Sequence, residues 1–423
     1  MQAGGAAGAG GRAAPGLVVF SPLPPARSGI ADYTAELLPA LGRMVPVTAV
    51  VASGRDLQPV QGAEVVAEVE YRRRSALHGL PHLYQMGNSL HHEHVYRMAL
   101  RRPGVVVLHD PVLHHLVEAL TLGRGDWAGY EAVMAENYGP AGRRLARLRR
   151  AGVFSPSQRN LLPLHRHLLD RSRGVLVHSR FAGARLEVAA DVPVRVVPFH
   201  LSPSASAQDG LDRAAARARL GLPGGDEPLL LQLGFVTRNK GLDVALGALA
   251  LLKSGGVACR LVVAGEADGS VDVPGMVRQA GVGDRVHLLG WVTDADFFAL
   301  LRAADLLLLL RFPPAGESSA VLVRALGVGL PALAYDAGPA SEYPDRFVEK
   351  IPFGPDPAVL VASAAERLLA DLPGLRARGG DARQALRRGC TPEVSASRVL
   401  AACRECEADR MLHTCSTPAG YRT

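Results

Sequence analysis

Residues 306–344 decide the fold of this chain: LLLLLRFPPAGESSAVLVRALGVGLPALAYDAGPASEYP. The apolar run from Leu306 to Leu310 predicts a strand covered on both faces, as the strands of parallel sheets are. Residues 317–319 supply helix-capping side chains, and apolar residues then recur at helical spacing. A second buried strand over residues 332–335 and a loop that ends at Glu342 complete a strand–helix–strand unit.

The start of the predicted helix is a candidate anion site. Helix geometry leaves the first backbone amides without intrahelical partners, and here these belong to Ser318, Ser319 and Ala320. The positive end of the helix dipole adds to the attraction for anions. The sequence therefore predicts a negatively charged ligand at this turn.

This unit resembles the nucleotide-sugar site of the family-4 retaining glycosyltransferases of the GT-B fold, whose motif reads E-G-F-G-x-x-x-x-E-A-M-A-x-G-x-P-V. Residues 325–331 keep that frame, whereas Arg324 occupies the position of the second, ribose-binding glutamate. Glu317 lies one position closer to it than the first glutamate of the motif. The resemblance covers roughly residues 17–400 and implies an α/β protein of two Rossmann-like, doubly wound parallel-sheet domains that face each other across a cleft.

Alternating strands and helices along the rest of the chain agree with two such domains. The predicted organisation is a disordered tail over residues 1–16, an acceptor-binding domain over 17–203 and a nucleotide-sugar-binding domain over 204–394. Residues 395–423 are predicted to form a helix that crosses back onto the first domain, followed by a loose tail.

The charge composition of the chain indicates which kinds of partner it favours. Lys and Arg number 47 against 40 Asp and Glu, a formal net charge of +7, which favours anionic ligands or an acidic membrane surface. We expect no nucleic-acid partner. The arginine-rich segment 143–150 could rest on lipid headgroups at the inner membrane face, although a solvated helix face is the favoured alternative. The sequence has no apolar run of about 18 residues and no export signal, so a cytoplasmic protein with reduced thiols is expected.

Two loops of the first domain are candidate site elements. Gly29 precedes the first helix; it either meets the donor phosphate and acceptor, as the resemblance implies, or only caps a tight turn. His109 and Asp110 follow a buried strand, at the edge where parallel sheets bind ligands. The resemblance makes His109 a catalytic-site residue that donates a hydrogen bond to the sugar, oriented by Asp110. The alternative is a strand-end histidine satisfied by the backbone.

Histidines and cysteines suggest a metal, but their spacing does not support one. Six histidines lie between residues 91 and 115, without the i, i+4 pair or HExxH of a zinc site. A C-terminal group could bind zinc or form disulfides, yet its irregular spacing favours free thiols. Its members are Cys390, Cys403, Cys406, His413 and Cys415. No metal is predicted.

In the second domain, residues 234–241 (GFVTRNKG) resemble the family loop G-R-L-x-x-x-K-G, whose arginine and lysine neutralise the donor diphosphate. Lys240 is retained, whereas Phe235 stands at the arginine position. Arg238 could reach the same phosphate. Gly265, in the next strand-end loop, matches the family pattern V-x-G-x-G-P.

The resemblance therefore implies a retaining, metal-independent, hexosyltransferase-like enzyme of cell-envelope or polysaccharide biosynthesis. Its donor would be a UDP- or GDP-sugar with no further cofactor, and its acceptor a glycan, lipid-linked or small-molecule hydroxyl. Glu317 would bind sugar hydroxyls, and Arg324 implies that the nucleotide is held differently. Two alternatives stay open: a catalytically degenerate nucleotide-sugar-binding protein, and a GT-B nucleotide-sugar epimerase, which needs acid–base carboxylates that the sequence does not locate.

Overall fold

The computed structural model describes residues 16–54, 57–187, 192–207, 209–269, 271–314 and 316–415. The predicted disordered tail lies outside these residues except for Gly16, as does the end of the C-terminal tail from residue 416.

The described residues form a seven-stranded and a six-stranded sheet, both entirely parallel. The strands are β1 Leu17–Phe20, β2 Val47–Val51, β3 Glu64–Ala67, β4 His82–Met86, β5 Val105–Leu108, β6 Gly174–Val177, β7 Val194–Val196, β8 Leu229–Leu233, β9 Arg260–Ala264, β10 Val286–Gly290, β11 Leu306–Leu309, β12 Ala332–Tyr335 and β13 Val348–Ile351.

Helices connect these strands and cover both sheets. They are α1 Gly29–Gly42, α2 Glu68–Arg73, α3 Glu93–Arg101, α4 His114–Leu120, α5 Trp127–Arg150, α6 Gln158–Leu161, α7 Arg166–Leu169, α8 Arg180–Glu187, α9 Ser204–Ala207, α10 Arg213–Arg219, α11 Leu242–Ser254, α12 Val273–Ala280, α13 Asp294–Ala303, α14 Ala320–Val328, α15 Pro357–Leu369, α16 Leu372–Gly389 and α17 Pro392–Cys415. Short 3-10 turns lie at Ser75–Gly79, Leu90–His92, Leu122–Arg124, Arg238–Lys240, Gly283–Arg285 and Gly338–Glu342.

Each sheet reverses its strand order at one place. The first runs β3-β2-β1-β4-β5-β6-β7 and the second β10-β9-β8-β11-β12-β13, so the reversals fall between β1 and β4 and between β8 and β11. Loops at the carboxyl ends of such strands diverge and leave a crevice. The doubly wound α/β fold predicted from the apolar runs is confirmed.

Burial explains why the strands read as continuous apolar runs. All residues of β1 and β5 are buried, as are all of β8 and β12. Helices on both faces remove the strands from water, which is the main stabilising term for such sheets.

The C-terminal helix α17 packs on the first domain. Its buried residues Ala396, Val399 and Cys406 belong to the same apolar cluster as Leu17 and Leu37. The chain therefore returns to the first domain after completing the second. The short helix α9 lies at the predicted boundary between the two domains, after residue 203.

Candidate active site

The loops after β8 and β9 touch each other through glycines. Gly265 has a φ of 141°, and a Cβ added to it would lie 2.2 Å from the carbonyl oxygen of Gly234. This distance is too short for a side chain at residue 265, and this φ strongly favours glycine. The predicted site residue Gly265 thus has a packing reason of its own, which brings the β8 loop into position.

Lys240 lies on the 3-10 turn that follows this loop. Its carbonyl accepts a hydrogen bond of 2.7 Å from Gln232 Nε2 in β8. A Cβ built on Gly234 would meet both Lys240 Nζ, at 3.2 Å, and the side chain of Val321 in α14, at 3.8 Å. The ammonium is therefore held near the first turn of α14. Burial, with a smaller contribution from the charge of Arg311, lowers the pKa of Lys240 to about 8.

Arg311 is a site residue that the sequence reasoning missed. It follows the buried strand β11 directly, and its guanidinium forms an ion pair with Glu317. The two side chains are only 32% and 17% exposed. Burial lowers the pKa of Arg311, an effect that the nearby Asp110 opposes. The only available signal was its position at the carboxyl end of an apolar strand.

The first turn of α14 lies beside these charges. Ser319 caps the helix, since its side chain accepts a hydrogen bond of 3.2 Å from the amide of Leu322. Ser318 and Ser319 line the same interdomain cavity as Arg311 and Glu317. The amides of residues 318–320, predicted to bind an anion, therefore sit next to two cationic side chains.

Asp110, a residue of the first domain, lies near Arg311 of this charged cluster. Its Oδ2 accepts a hydrogen bond of 2.9 Å from the backbone amide of Asn88, in the loop after β4. Burial raises the pKa of Asp110, whereas the Asn88 hydrogen bond and the charge of Arg311 oppose that shift. The domains are in contact here, because a Cβ on Gly316 would lie 3.1 Å from the ring of Pro111.

His109 is more enclosed than predicted, with an exposed fraction of 7%. One ring nitrogen, Nε2, lies 2.7 Å from Gln85 Oε1, and the other, Nδ1, lies 3.0 Å from His178 Nε2. The expectation that Asp110 orients the imidazole is wrong, since Gln85 and His178 occupy its nitrogens. Burial and the neighbouring imidazoles hold the pKa of His109 well below its usual value, so the ring is neutral.

A cavity of about 250 Å³ lies between the domains and reaches this cluster. First-domain residues His178, Arg180 and Phe199 face second-domain residues Arg311 and Glu317 across it. Most of its remaining walls are apolar side chains.

Hydrogen bonds also join the two domains at the rim of this cavity. Glu342 in the second domain accepts hydrogen bonds from the amides of Arg180, at 3.1 Å, and Phe181, at 2.6 Å. These amides begin α8, so a carboxylate of one domain caps a helix of the other.

Arg324, at the position of the ribose-binding glutamate in the family motif, forms an ion pair with Glu36 of the first domain. Its Nη2 lies 3.6 Å from Glu36 Oε1 in α1, across the domain interface. Glu36 also accepts a hydrogen bond from Ser202 and lies 3.2 Å from His200 Nε2. Arg324 lines a separate interdomain cavity of about 230 Å³, together with Asp32 of α1. Arg324 thus forms an interdomain ion pair, and its contact with the nucleotide stays a prediction.

The remaining predicted residues are Gly29 and Arg238. Gly29 begins α1, and a Cβ added to it would meet no atom within 4 Å. Protein packing therefore gives no reason for a glycine there, which weakens the tight-turn alternative. Arg238 is exposed on the same 3-10 turn as Lys240.

Two aromatic rings stand exposed at the ends of β8 and β10. Phe235 is 52% exposed and Trp291 54% exposed, with ring centroids 6.2 Å apart. The guanidinium carbon of Arg27, in the first-domain loop after β1, lies 5.4 Å from the Trp291 ring centroid. Phe235 thus provides an aromatic surface at the position where the family motif has its arginine.

The histidines and cysteines considered as metal ligands in the sequence do not form part of this site. Within the described part of the chain, no group of three or more His, Cys, Asp or Glu side chains is placed to hold a metal ion. Cys390 is a free thiol, Cys403 and Cys406 are buried, and the side chains of His413 and Cys415 lie outside those described.

The predicted basic face of α5 is partly neutralised, because Arg147 pairs with Glu131 and Arg149 with Glu118. No helix in the described ranges is long and apolar enough to span a membrane.

Comparison with known proteins agrees with this arrangement. Residues 212–382 match the family model described as glycosyl transferases group 1. The chain is 27% identical over 219 residues to the α-D-kanosaminyltransferase of Streptomyces kanamyceticus, covering 50% of this chain and 55% of that protein. The chain spans about half the length of the first curated relatives that it matches.

Solved structures match nearly the whole fold. Sucrose-phosphate synthase from Thermosynechococcus elongatus superposes with a TM-score of 0.62 at 17% identity, covering 95% of this chain and all of that one. HepE from Anabaena, solved with UDP and glucose, gives 0.61 at 15% identity over 92% of this chain and all of its own.

The two sheets and the cleft between them define a GT-B protein. Residues 212–382, most of the second domain, match the group 1 glycosyltransferase model, so this domain is similar to that family. The predicted GT-B fold is confirmed, and the match over residues 212–382 bears out the resemblance to group 1 glycosyltransferases.

Proposed function

We propose that this protein is a glycosyltransferase that transfers a sugar from a UDP- or GDP-sugar to an acceptor hydroxyl, with retention of anomeric configuration. The observation that carries the proposal is the convergence of Lys240, Arg311 and Glu317 from the second domain with Asp110 from the first. Cations, an anion-binding helix end and a sugar-binding carboxylate then meet at one point of an interdomain cleft.

The donor diphosphate is assigned to Lys240, Arg311 and the first amides of α14. Burial and, to a smaller extent, repulsion by Arg311 lower the pKa of Lys240 in the free protein. A diphosphate relieves that repulsion and gains charge as its bond to the sugar breaks. Removing one such electrostatic donor typically costs a few kcal/mol, about 3, in the transition state. Arg311 supplies the second cation, because this chain has Phe235 at the arginine position of the motif.

Glu317 is assigned to the sugar. It now neutralises Arg311; when the diphosphate binds the guanidinium, the carboxylate is released to accept hydrogen bonds from sugar hydroxyls. From the first domain, Asp110 lies near Arg311, and the neutral His109 contacts His178, which lines the cavity. The acceptor hydroxyl is assigned to this side. In this scheme the departing phosphate accepts the proton, so the residues provide position and charge and no metal is required.

The nucleobase is assigned to the exposed pair Phe235 and Trp291, because aromatic faces stack bases at about 1–3 kcal/mol per base. Arg27 approaches the same ring from the first domain. HepE, which shares the fold, was solved with UDP and with UDP-glucose. That supports a uridine donor as the first to test.

The decisive experiment measures nucleotide release from a panel of UDP- and GDP-sugars with and without candidate acceptors. We expect Lys240→Ala and Glu317→Ala to lower turnover by about a hundredfold. Lys253→Ala is the matched control, since Lys253 lies on α11 and pairs with Asp284. Unchanged turnover in both site variants contradicts the assignment, and tight donor binding without any turnover would instead identify a catalytically degenerate binding protein.

A further inference from the structure

Two histidines that follow neighbouring strands of the first sheet form a hydrogen-bonded pair. His109 comes directly after β5 and His178 directly after β6, and the nearest ring nitrogens, His109 Nδ1 and His178 Nε2, lie 3.0 Å apart. Tyr33 of α1 packs against both rings, with its ring centroid 4.8 Å from that of His109 and 5.2 Å from that of His178. The rings are therefore held in one arrangement, and their protons can be assigned from their partners.

The assignment begins at the far side of His178. Its Nδ1 lies 2.8 Å from the backbone carbonyl oxygen of Val197, which can only accept a hydrogen bond, so Nδ1 carries a proton. Burial lowers the pKa of His178 to about 4, although the Val197 hydrogen bond opposes the shift, so the ring is neutral at neutral pH. A neutral ring with its proton on Nδ1 offers only a lone pair at Nε2. His109 therefore donates to it through Nδ1.

The same reasoning fixes the other side of His109. Its ring is neutral too, so its Nε2 is an acceptor, and the group that faces this nitrogen at 2.7 Å is the side-chain amide of Gln85. The oxygen and nitrogen of an amide have the same shape and are assigned from their partners. With Oε1 toward His109, the buried Nε2 of Gln85 has no hydrogen-bond partner among the described residues. Gln85 therefore donates to His109 through Nε2.

The hydrogen bonds of this series all run in one direction, from Gln85 to His109, then to His178 and to the carbonyl oxygen of Val197. Each imidazole has one N–H group and one lone pair, and the series uses all four. Neither ring keeps a proton with which to bind a sugar hydroxyl. His109 and His178 can therefore act on a substrate only through the groups that they hold in place.

The series reaches the second domain through the residues that follow each histidine. Asp110 follows His109 and lies near Arg311 of the second domain. Helix α8 follows His178, and its first amides donate hydrogen bonds to Glu342 of the second domain. A shift of either imidazole would therefore disturb a contact between the domains.

Val197 connects the series to the segment that crosses between the domains. Its own amide donates a hydrogen bond of 2.8 Å to the carbonyl oxygen of Val177, the last residue of β6. Farther along this segment, the amide of Leu201 donates a hydrogen bond of 2.6 Å to the carbonyl oxygen of Cys390, where the chain returns from the second domain. The series thus fixes the ends of β5 and β6 relative to the start of the crossing segment.

We propose that His109 and His178 are positioning residues of the transfer reaction, each with its ring proton on Nδ1, and that Gln85 orients His109. The pair holds Asp110 and the start of α8 in place against the second domain and gives no hydrogen bond to the sugar. This inference rests on the proposed glycosyltransferase function and specifies how the first-domain wall of its cleft is held.

The direct test is ¹⁵N NMR of the full chain with ¹⁵N-labelled histidine rings. Ring nitrogens with and without a proton differ widely in ¹⁵N chemical shift, and the signals lost in His109→Asn and in His178→Asn identify the two residues. We expect both rings to be neutral, with the proton on Nδ1. A proton on His109 Nε2, or a doubly protonated ring at either position, overturns the inference.

Two variants of one residue separate positioning from sugar contact. The side-chain amide of asparagine takes the place of the Nδ1–H group of histidine, and that of glutamine takes the place of Nε2–H. We expect kcat to be about tenfold higher for His109→Asn than for His109→Gln, with donor KM values within about twofold of each other. The control is His82→Gln, which should leave kcat unchanged, because His82 lies at the start of β4 and bonds Tyr71 at 2.7 Å.

A double variant tests whether the pair acts as one unit. His109→Ala combined with His178→Ala should lower kcat about as much as the more damaging single change. Losses that multiply in the double variant overturn the inference. Equal kcat for His109→Asn and His109→Gln also overturns it, and a higher kcat for His109→Gln shows donation from Nε2 to the sugar instead.

UDP binding and turnover by the wild-type chain are measured first. Their absence refutes the proposed function and, with it, the role of the pair in transfer. Turnover together with the other ring tautomer, or with the reversed order of the two His109 variants, refutes this inference alone. Thermal melting of each variant confirms that it is folded.

Discussion

Arg324 of the second domain and Glu36 of the first form an ion pair across the cleft, with 3.6 Å between Nη2 and Oε1. Their side chains are 15% and 18% exposed, so water screens this pair much less than a surface one. Glu36 carries further bonds: burial alone would raise its pKa, yet His200, Arg324 and Ser202 together hold the pKa below its usual value. The pair therefore helps to set the relative position of the domains.

Arg324→Met should destabilise the protein because it leaves Glu36 without its cationic partner. We expect the thermal midpoint to fall by about 2–6 °C, and the double variant with Glu36→Gln to lose less than the sum of the two single changes. Differential scanning calorimetry measures both. The control is Arg43→Met, which breaks the 2.6 Å pair with Glu393, whose side chains are 57% and 56% exposed. An equal fall in thermal midpoint for Arg324→Met and Arg43→Met would contradict the interface role of Arg324.

Asp32 gives a pH-dependent test of the same interface. Burial raises its pKa from 3.8 to about 6, with Asp294 and Glu36 adding to the shift and Arg324 opposing it. The folded state then binds a proton that the unfolded state has already released, so this group lowers stability as pH rises from about 4 to about 6. Asp32→Asn removes the effect. Its thermal midpoint should exceed that of the wild type by a margin that grows through this range and is constant above it. A margin independent of pH would contradict the raised pKa.

Gly265→Ala should damage the second domain, because its Cβ would lie 2.2 Å from the carbonyl oxygen of Gly234 and its φ is 141°. We expect a loss of about 2–4 kcal/mol, measured by urea unfolding of the second-domain transition. Gly269→Ala, in the same loop, is the control: a Cβ there would meet no atom within 4 Å. If both variants are equally stable, the β8 and β9 loops do not approach as described.

The chain's two tryptophans make the nucleobase assignment directly observable. If uridine stacks on Trp291, UDP should quench its fluorescence, and Trp291→Phe should abolish the signal and weaken binding about fivefold or more. Trp127→Phe, which alters the start of α5 in the first domain, should keep the full change. Quenching that is lost in the Trp127 variant and kept in the Trp291 variant would place the base elsewhere.

The sequence could predict those features that depend on residues close together in the chain. The run Leu306 to Leu310 and the capping residues after it are local signals, and they placed β11 and α14 correctly, whereas anion binding at the turn between them stays a prediction. Arg311 was missed because its partners Glu317 and Asp110 become neighbours only when the strand end and the other domain come together.

Contacts between elements far apart in the chain account for the other differences. The partners of His109 come from β4 and from the end of β6, and nothing near residues 109–110 indicates them. Arg324 departs from the family motif at a position whose partner, in α1, lies almost three hundred residues away. Local pattern thus predicts each loop, whereas the charge pairing between loops needs the tertiary structure.

The central claim is that Lys240 and Arg311 hold a nucleotide diphosphate in the cleft, and the ratio of uridine to UDP dissociation constants tests it most directly. Calorimetry at a pH below about 8, where Lys240 is charged, should show UDP binding about a hundredfold more tightly than uridine. Lys240→Met and Arg311→Met should each reduce that ratio about tenfold, with Lys253→Met unchanged. An undiminished preference for UDP in both cleft variants would contradict the account.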